Sequence, residues 1–433
     1  MSFRDASSPD APAGPALPRA PRNHVVDAAR AASVVIVVVF HSLLYQVRLV
    51  DGRPELVPWA APHWPWWLLT WIFMCIPVFF IAGGFAHALL VDRMHREGTG
   101  YARFLANRGR RLAGPLLLFV TVLAAASTAA AWLGRLPDAV TLTRQLMQLL
   151  WFLTVYLVIV AAAPAAVRAH DRWGWRPMAV LAVLAAAVDA FSFATATFWW
   201  RNINLFVVWP LVHQLGIAYQ RGWFRSGPAW RAWLPLLAGA SGIVALVFGL
   251  GYPGSSVGFA DIPIANVQPP TLGMAFLGLA QCGALGLVER SGWLRRLPRR
   301  VERTMSVANA LMMTVYLWHI GGIALAAGGL FGLSEVWPAA AGVLLAQPTV
   351  TAASLLVVAA LVPLIGRIEF RLIAPLGAHP DAAPAIAAYA LLVAGTALVW
   401  QFGTVLHPAA PWSTLGVLLV WGGVALMRRA ASG

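Results

Sequence analysis

The stretch Asp27-Ala-Ala-Arg30-Ala-Ala-Ser-Val-Val-Ile-Val-Val-Val-Phe-His41 decides how this chain is read. Arg30 and His41 are eleven residues apart. At roughly 100° per residue that is almost three whole turns, so both side chains share one face of a helix. Along the axis they are separated by ~16 Å, half the thickness of a bilayer core. Asp27 falls within about 40° of the same line. Ionisable groups inside a spanning helix are expensive and mark function by default. The layout predicts a cation towards one membrane surface and an acid–base group deeper inside.

Working outward, apolar windows almost free of charge recur along all 433 residues, with 60% apolar side chains and a mean hydropathy of +0.73. A soluble globular protein does not have this composition. The windows are 28–47, 66–91, 112–133, 147–167, 177–197, 203–220, 233–250, 270–288, 308–330, 347–366, 384–405 and 411–427. Each is read as a membrane span. The shortest, 203–220, contains Pro210. Ten-residue alternation of the kind membrane strands need is absent, so the expectation is an all-α, polytopic helical membrane bundle of about ten to twelve transmembrane helices.

The net charge of +15 comes from arginine alone, since the chain has no lysine. Such basicity would suit nucleic acid, but position argues otherwise. Arg48, Arg53, Arg135, Arg144 and Arg201 fall on one side of the predicted membrane, and the other twenty-six of the 31 arginines fall on the opposite side. By the positive-inside rule both termini are cytoplasmic, and the host membrane is read as the inner, cytoplasmic one. No nucleic-acid partner is expected. Residues 1–21, rich in Pro, Ala and Ser, read as a disordered cytoplasmic tail and not a cleaved signal. Cys75 and Cys282 both fall in spans and indicate no disulfide framework. Outer loops near 48–65, 251–269 and 331–346 are long enough to cap or line a cavity but too short for a separate domain. Trp59, Trp64, Trp66, Trp67, Trp199 and Trp200 read as an interfacial belt.

Several constellations carry chemistry. His41 has a side chain able to take a proton from a hydroxyl and return it to a leaving group; its bland alternative is a histidine satisfied by a neighbouring carbonyl. Phe104-Leu-Ala-Asn-Arg108-Gly-Arg110-Arg111 puts three arginines where span 3 begins, with Arg108 and Arg111 on one helical face. Guanidinium forks bind phosphate, and a helix N-terminus would add a favourable dipole. The competing role is anchoring to anionic headgroups. Pro77-Val-Phe-Phe-Ile-Ala-Gly83-Gly84-Phe85 admits close approach of another helix backbone or of a thin ligand chain. Trp151-Phe152-Leu153 opens span 4 and Tyr316-Leu317-Trp318-His319 sits within span 9, each lining a polar tunnel or serving as a support. His87, Asp189 and His213 are further intramembrane polar groups without a usable pattern. Metal-ligand spacing, a phosphate loop and a nucleophile elbow are absent, so no metal is expected and the energy must come from an activated donor.

In their order these pieces resemble the acyltransferase-3 family of integral membrane acyltransferases. The match comprises Arg22 and Asp27 leading into Arg30, then His41, the phenylalanine–glycine segment of span 2, Arg108-x-x-Arg111, Trp151-Phe152-Leu153 and Tyr316-Leu317-Trp318-His319. Gly83 stands where the family commonly has serine. The resemblance covers 22–372 and leaves 373–433 as an additional C-terminal transmembrane hairpin. It implies transfer of an acyl group, most simply acetyl, from cytoplasmic acyl-CoA to a hydroxyl of a glycan, glycolipid or other hydroxylated acceptor. Under that reading Arg30, Arg108 and Arg111 bind the donor phosphates. His41 is the base or a transient acyl carrier, and Asp27, Gly83, Gly84, Trp151, Tyr316 and His319 support or line the path. The rivals are a multi-pass transporter and a non-catalytic membrane scaffold or exporter partner.

Overall fold

The computed structural model describes residues 23–50, 53–58, 64–258, 265–377 and 380–432. The expected tail at 1–21, Arg22 and Trp59 lie outside the described residues. The chain is a helical bundle. Its elements begin with α1 (His24–Leu44), β1 (Tyr45–Val50), β2 (Arg53–Pro58), α2 (Trp64–Ile72), α3 (Ile76–Arg96), α4 (Tyr101–Ala130), α5 (Leu136–Met147), α6 (Leu150–Trp173), α7 (Arg176–Thr195) and α8 (Val208–Gln220). There follow α9 (Trp230–Val244), α10 (Leu272–Ser291), α11 (Arg299–Ala310), α12 (Met312–Val336), α13 (Ala341–Leu344), α14 (Gln347–Leu372), α15 (Ala382–Phe402) and α16 (Pro411–Ser432). Among the described residues, eleven helical stretches are long and apolar enough to cross a membrane.

Each window read from the sequence holds a helix, and the differences have physical causes. The window 203–220 becomes a 3₁₀ segment, Phe198–Phe206, followed by the short α8. Thirteen residues rise only about 20 Å. A helix surrounded by protein need not match the lipid thickness, and irregular backbone is tolerated there. Trp209, Val212, Ile217 and Tyr219 of α8 are fully buried. Its first end meets α7 through Asn204, whose amide donates to Asp189 at 2.9 Å. At its far end Arg221 reaches the ends of α3 and α6. The segment 134–146, left between two windows in the sequence, contains most of α5, reached through a kink at Gly134 with φ of +83°. Part of the 48–65 loop is an antiparallel hairpin, registered from Tyr45 opposite Pro58 to Val50 opposite Arg53. The intervening Asp51-Gly52 is a hairpin signal in the sequence.

Two large apolar cores hold the bundle. One joins α3, α6, α8 and α10 through Phe80, Ile81, Val155, Trp209 and Met274. The other joins α4, α6, α15 and α16 through Leu105, Leu116, Leu153, Leu392 and Val420. A smaller cluster, Val38, Val315, Val358 and Val362, packs α1 against α12 and α14. Cys75 and Cys282 are buried free thiols.

Polar ties close both faces. Asn23 donates to Glu289 at 2.9 Å and Arg428 to the Leu372 carbonyl at 3.0 Å, so α1 begins and α16 ends on one face. There Arg221 makes paired hydrogen bonds to Asp92 (2.6 and 2.9 Å) and Asp171 (2.7 and 2.9 Å). Those bonds to Asp92, then Asp171, push its guanidinium above the ordinary arginine range. On the opposite face the 251–271 loop is bound down at its described residues. Trp71 donates to the Gly254 carbonyl at 2.7 Å, and Ser256 to the Thr70 carbonyl at 2.9 Å. Buried Arg201 donates to the carbonyls of Ala265 (2.7 Å) and Pro269 (2.9 Å). Asp189 accepts from Tyr252 (3.0 Å) and the Leu272 amide (2.8 Å) as well as Asn204.

Two stability predictions follow from this packing. A Cβ on Gly84 would lie 2.0 Å from the His213 carbonyl oxygen, and one on Gly216 would lie 2.1 Å from that of Ile81. Gly84→Ala or Gly216→Ala should force α3 from α8 and cost about 1–3 kcal/mol. Gly328→Ala, where a Cβ meets nothing within 4 Å, should be neutral or slightly stabilising in the same thermal melts. Arg221→Lys cannot serve two carboxylate forks and should lower stability by about 1 kcal/mol, since the group is partly solvated. An unchanged melting midpoint for that variant would show the bridge to be dispensable.

Candidate active site

His41 stands one turn before the end of α1, near the face opposite the Arg221 bridge. Its Nδ1 lies 2.8 Å from the Val37 carbonyl, and its ring meets that of His319 at a centroid distance of 4.8 Å. His319, wholly buried on α12, sets its own Nδ1 2.9 Å from the Tyr316 carbonyl and 3.0 Å from that of Val315. A carbonyl only accepts, so in each neutral ring the proton sits on Nδ1 and Nε2 carries a lone pair. His319 Nε2 has no partner. Two basic nitrogens thus occupy one region with backbone locks fixing their tautomers, and each can accept a hydrogen bond or a proton.

The elements around the histidines are tied on several sides. Ser42 donates to Thr351 at 3.1 Å, and Gln347 donates to the Ser42 carbonyl at 2.5 Å, joining the end of α1 to α14. The Tyr316 hydroxyl donates to the Leu149 carbonyl, and its ring meets Phe152 at 5.3 Å. Trp151 is buried between Phe152 and Trp209, so it supports the site from within the core. Glu369 was missed in the sequence, because the apolar window there ends at Gly366 while the helix continues to Leu372. It is a buried carboxylate accepting from Thr314 at 2.5 Å and from the Trp318 indole at 3.0 Å, and so steadies the start of α12. The available signal was an acidic residue within one further turn of an apolar run.

The second half of the site lies ~16 Å away along α1. Arg30 on that helix and Arg111 on α4 are close enough to Arg108 to act on it electrostatically, as are the phenols of Tyr156 and Tyr389. Arg30, Arg108 and Arg111 have no carboxylate partner among the described residues, and the buried Arg108 Nε has no hydrogen-bond partner. Guanidinium groups gathered in this way have the chemistry to bind an anion such as phosphate. The helix dipole plays no part, contrary to the sequence reading. Because α4 starts at Tyr101, Arg108 and Arg111 are ~10 and ~15 Å inside it, beyond the reach of its N-terminus.

The neighbours divide by role. Arg110 donates to the Ala374 carbonyl at 2.8 Å and to Asn107 at 3.2 Å, anchoring the chain after α14. The Asp27 carboxylate makes no ion pair with Arg30; its backbone carbonyl instead accepts from Asn309 at 3.0 Å. Gly84 lets α3 touch α8, whereas Gly83 faces the Tyr156 ring, 3.3 Å from where a Cβ would sit. A cavity of about 790 Å³ on the Arg221 face is lined by His24, Val25, Phe85, Arg225 and Arg295 and includes none of the three clustered arginines. Among the described residues no cluster of three or more His, Cys, Asp or Glu is arranged to hold a metal ion.

Comparison with known proteins places the chain in a family. The acyltransferase-3 family profile, described as an acyltransferase domain, matches residues 23–367, from the start of α1 into α14. No curated protein and no solved structure matches the chain. The match spans most of the chain, and eleven helical stretches among the described residues can cross a membrane, so the chain belongs to the acyltransferase-3 family and is a multi-pass membrane acyltransferase.

Proposed function

We propose that this protein transfers an acyl group, most simply acetyl, from acyl-CoA at the arginine-rich face to a hydroxyl presented near the opposite face. The observation that carries the reading is that α1 holds one member of each group ~16 Å apart, Arg30 of an arginine cluster without a carboxylate partner and His41 of a tautomer-locked histidine pair. Under the positive-inside rule the arginine-rich face is cytoplasmic, where acyl-CoA is held, and both termini lie there in an inner membrane. Residues 22–372 form the catalytic unit. The α15–α16 hairpin, which packs on α4 and α6, is an addition to it.

In this mechanism Arg30, Arg108 and Arg111 bind the donor phosphates, and the pantetheine arm carries the thioester along α1. His41 Nε2 takes the proton of the acceptor hydroxyl while its oxygen attacks the thioester carbonyl carbon. The carbon–sulfur bond breaks, the proton passes from His41 to the thiolate, and the products are an ester and free CoA. His319 orients the His41 ring and shields it from water, and Glu369 steadies the helix that carries His319. The acceptor is a carbohydrate or another hydroxylated molecule, such as a glycolipid, reaching His41 from the face at which α1 ends. Hydroxyl groups there meet Nε2 lone pairs with no competing protein donor on His319.

The test is turnover of labelled acetyl-CoA by purified protein in nanodiscs, without a gradient, against a panel of sugar acceptors. His41→Ala should reduce transfer by about 10²–10⁴-fold and leave CoA binding intact. Arg30→Ala and Arg108→Ala should weaken CoA binding by roughly tenfold or more. An acyl-protein trapped without acceptor would replace direct transfer by an acyl-enzyme, and failure of the wild type to bind CoA would overturn the reading.

A further inference from the structure

His87 on α3 and His213 on α8 are both fully buried, with His87 Nδ1 2.9 Å from His213 Nε2. The His87 ring lies 5.8 Å from that of Tyr156 and 6.3 Å from that of Phe104, the residue one turn before Arg108. Arg108 acts on His87 electrostatically, so the pair adjoins the arginine cluster. His87 Nε2 is buried with no partner. The Tyr156 hydroxyl, on a ring stacked against Phe152, makes no hydrogen bond among the described residues and is not sealed in as His87 Nε2 is. A buried polar atom left unpaired costs the full desolvation of that atom. Gly83 gives the Tyr156 ring its place, since any larger residue would press on it.

The donor count has one solution when an anion is present. If His213 Nε2–H donates to His87 Nδ1, the neutral His87 ring carries its proton on Nε2 and presents it as a donor. The Tyr156 hydroxyl is a second uncharged donor. Both stand beside a cluster of guanidinium groups that only donate. Resting on the acyl-CoA reading above, we propose that His87 and Tyr156 are phosphate ligands that complete the pyrophosphate site begun by Arg30, Arg108 and Arg111, with His213 setting the His87 tautomer. Uncharged donors suit this depth, because they hold the anion without adding a further buried charge. The pyrophosphate is thereby fixed at the level of α3's midsection, and the thioester is metered towards His41.

Binding of CoA, of pantetheine lacking phosphates, and of inorganic pyrophosphate to the full-length protein in nanodiscs tests this. Tyr156→Phe keeps the ring against Gly83 and removes only the hydroxyl. It should weaken CoA and pyrophosphate binding about tenfold and leave pantetheine unaffected. His87→Leu should do the same, and His87→Gln, which keeps a donor nitrogen, should recover most of the loss. His213→Phe should mimic His87→Leu for CoA, and melting midpoints identify any variant that is misfolded; Tyr156→Phe, nearly isosteric, carries the test if the histidine variants are. CoA affinity unchanged in Tyr156→Phe and His87→Leu, while Arg108→Ala loses it, would overturn this inference and leave the acyl-CoA reading standing. An equal loss for pantetheine and CoA would reduce both residues to pocket walls and overturn it too. Pyrophosphate binding without CoA binding by the wild type would keep the anion site and remove the acyl-CoA reading.

Discussion

Everything in this molecule follows from the cost of an unpaired polar group where no water can reach it. Most buried ionisable side chains of the bundle answer that cost inside the protein. Asp189 accepts from three separate donors, Glu369 from a hydroxyl and an indole, and Arg201 donates to two carbonyls. These networks also decide which elements stay together. The Asp189 group ties α7 to the outer loop, and the Arg221 bridge ties three helix ends at the other face. Seventeen buried side-chain polar atoms among the described residues have no hydrogen-bond partner, Arg201 Nε and Asn204 Oδ1 included, and three of them lie on the proposed substrate path: His319 Nε2, His87 Nε2 and Arg108 Nε. In the proposed mechanism His87 Nε2 and the Arg108 guanidinium meet the donor phosphates, and His319 Nε2 faces the acceptor.

The path between them is set by rigid geometry. Arg30 and His41 are on one uninterrupted helix, so their separation cannot drift without breaking backbone hydrogen bonds. α12 is held to α1 by the valine cluster and to α14 through Glu369, so His319 stays against His41. On the other side Gly84 and Gly216 bring the backbones of α3 and α8 into contact, and that approach is what puts His213 within hydrogen-bond distance of His87. A donor molecule extended along α1 would therefore meet fixed partners at both ends, the pre-organisation on which acyl transfer in a dry interior depends.

Much of this was legible in the residues. Hydropathy placed a helix in every window, because a spanning segment must satisfy its backbone internally and needs ~20 apolar residues to do so. The eleven-residue spacing of Arg30 and His41 survives because helical geometry is local. Local reasoning misjudged α8, whose length answers to protein packing, and α4, whose start at Tyr101 leaves the arginines well inside the helix. Glu369 was lost to a window edge, and Asp27 does not pair with Arg30 although the spacing allows it.

The residues by themselves determined the membrane class, the helical windows, the arginine asymmetry and the alignment of Arg30 with His41, since each depends on composition or on neighbours along one helix. Only the tertiary structure decided which polar groups are satisfied. His41 meets His319 across 278 positions of sequence, His87 meets His213 across 126, and Tyr156 comes to rest on Gly83. No periodicity encodes those pairings, because they arise when separate helices pack and exclude water between them.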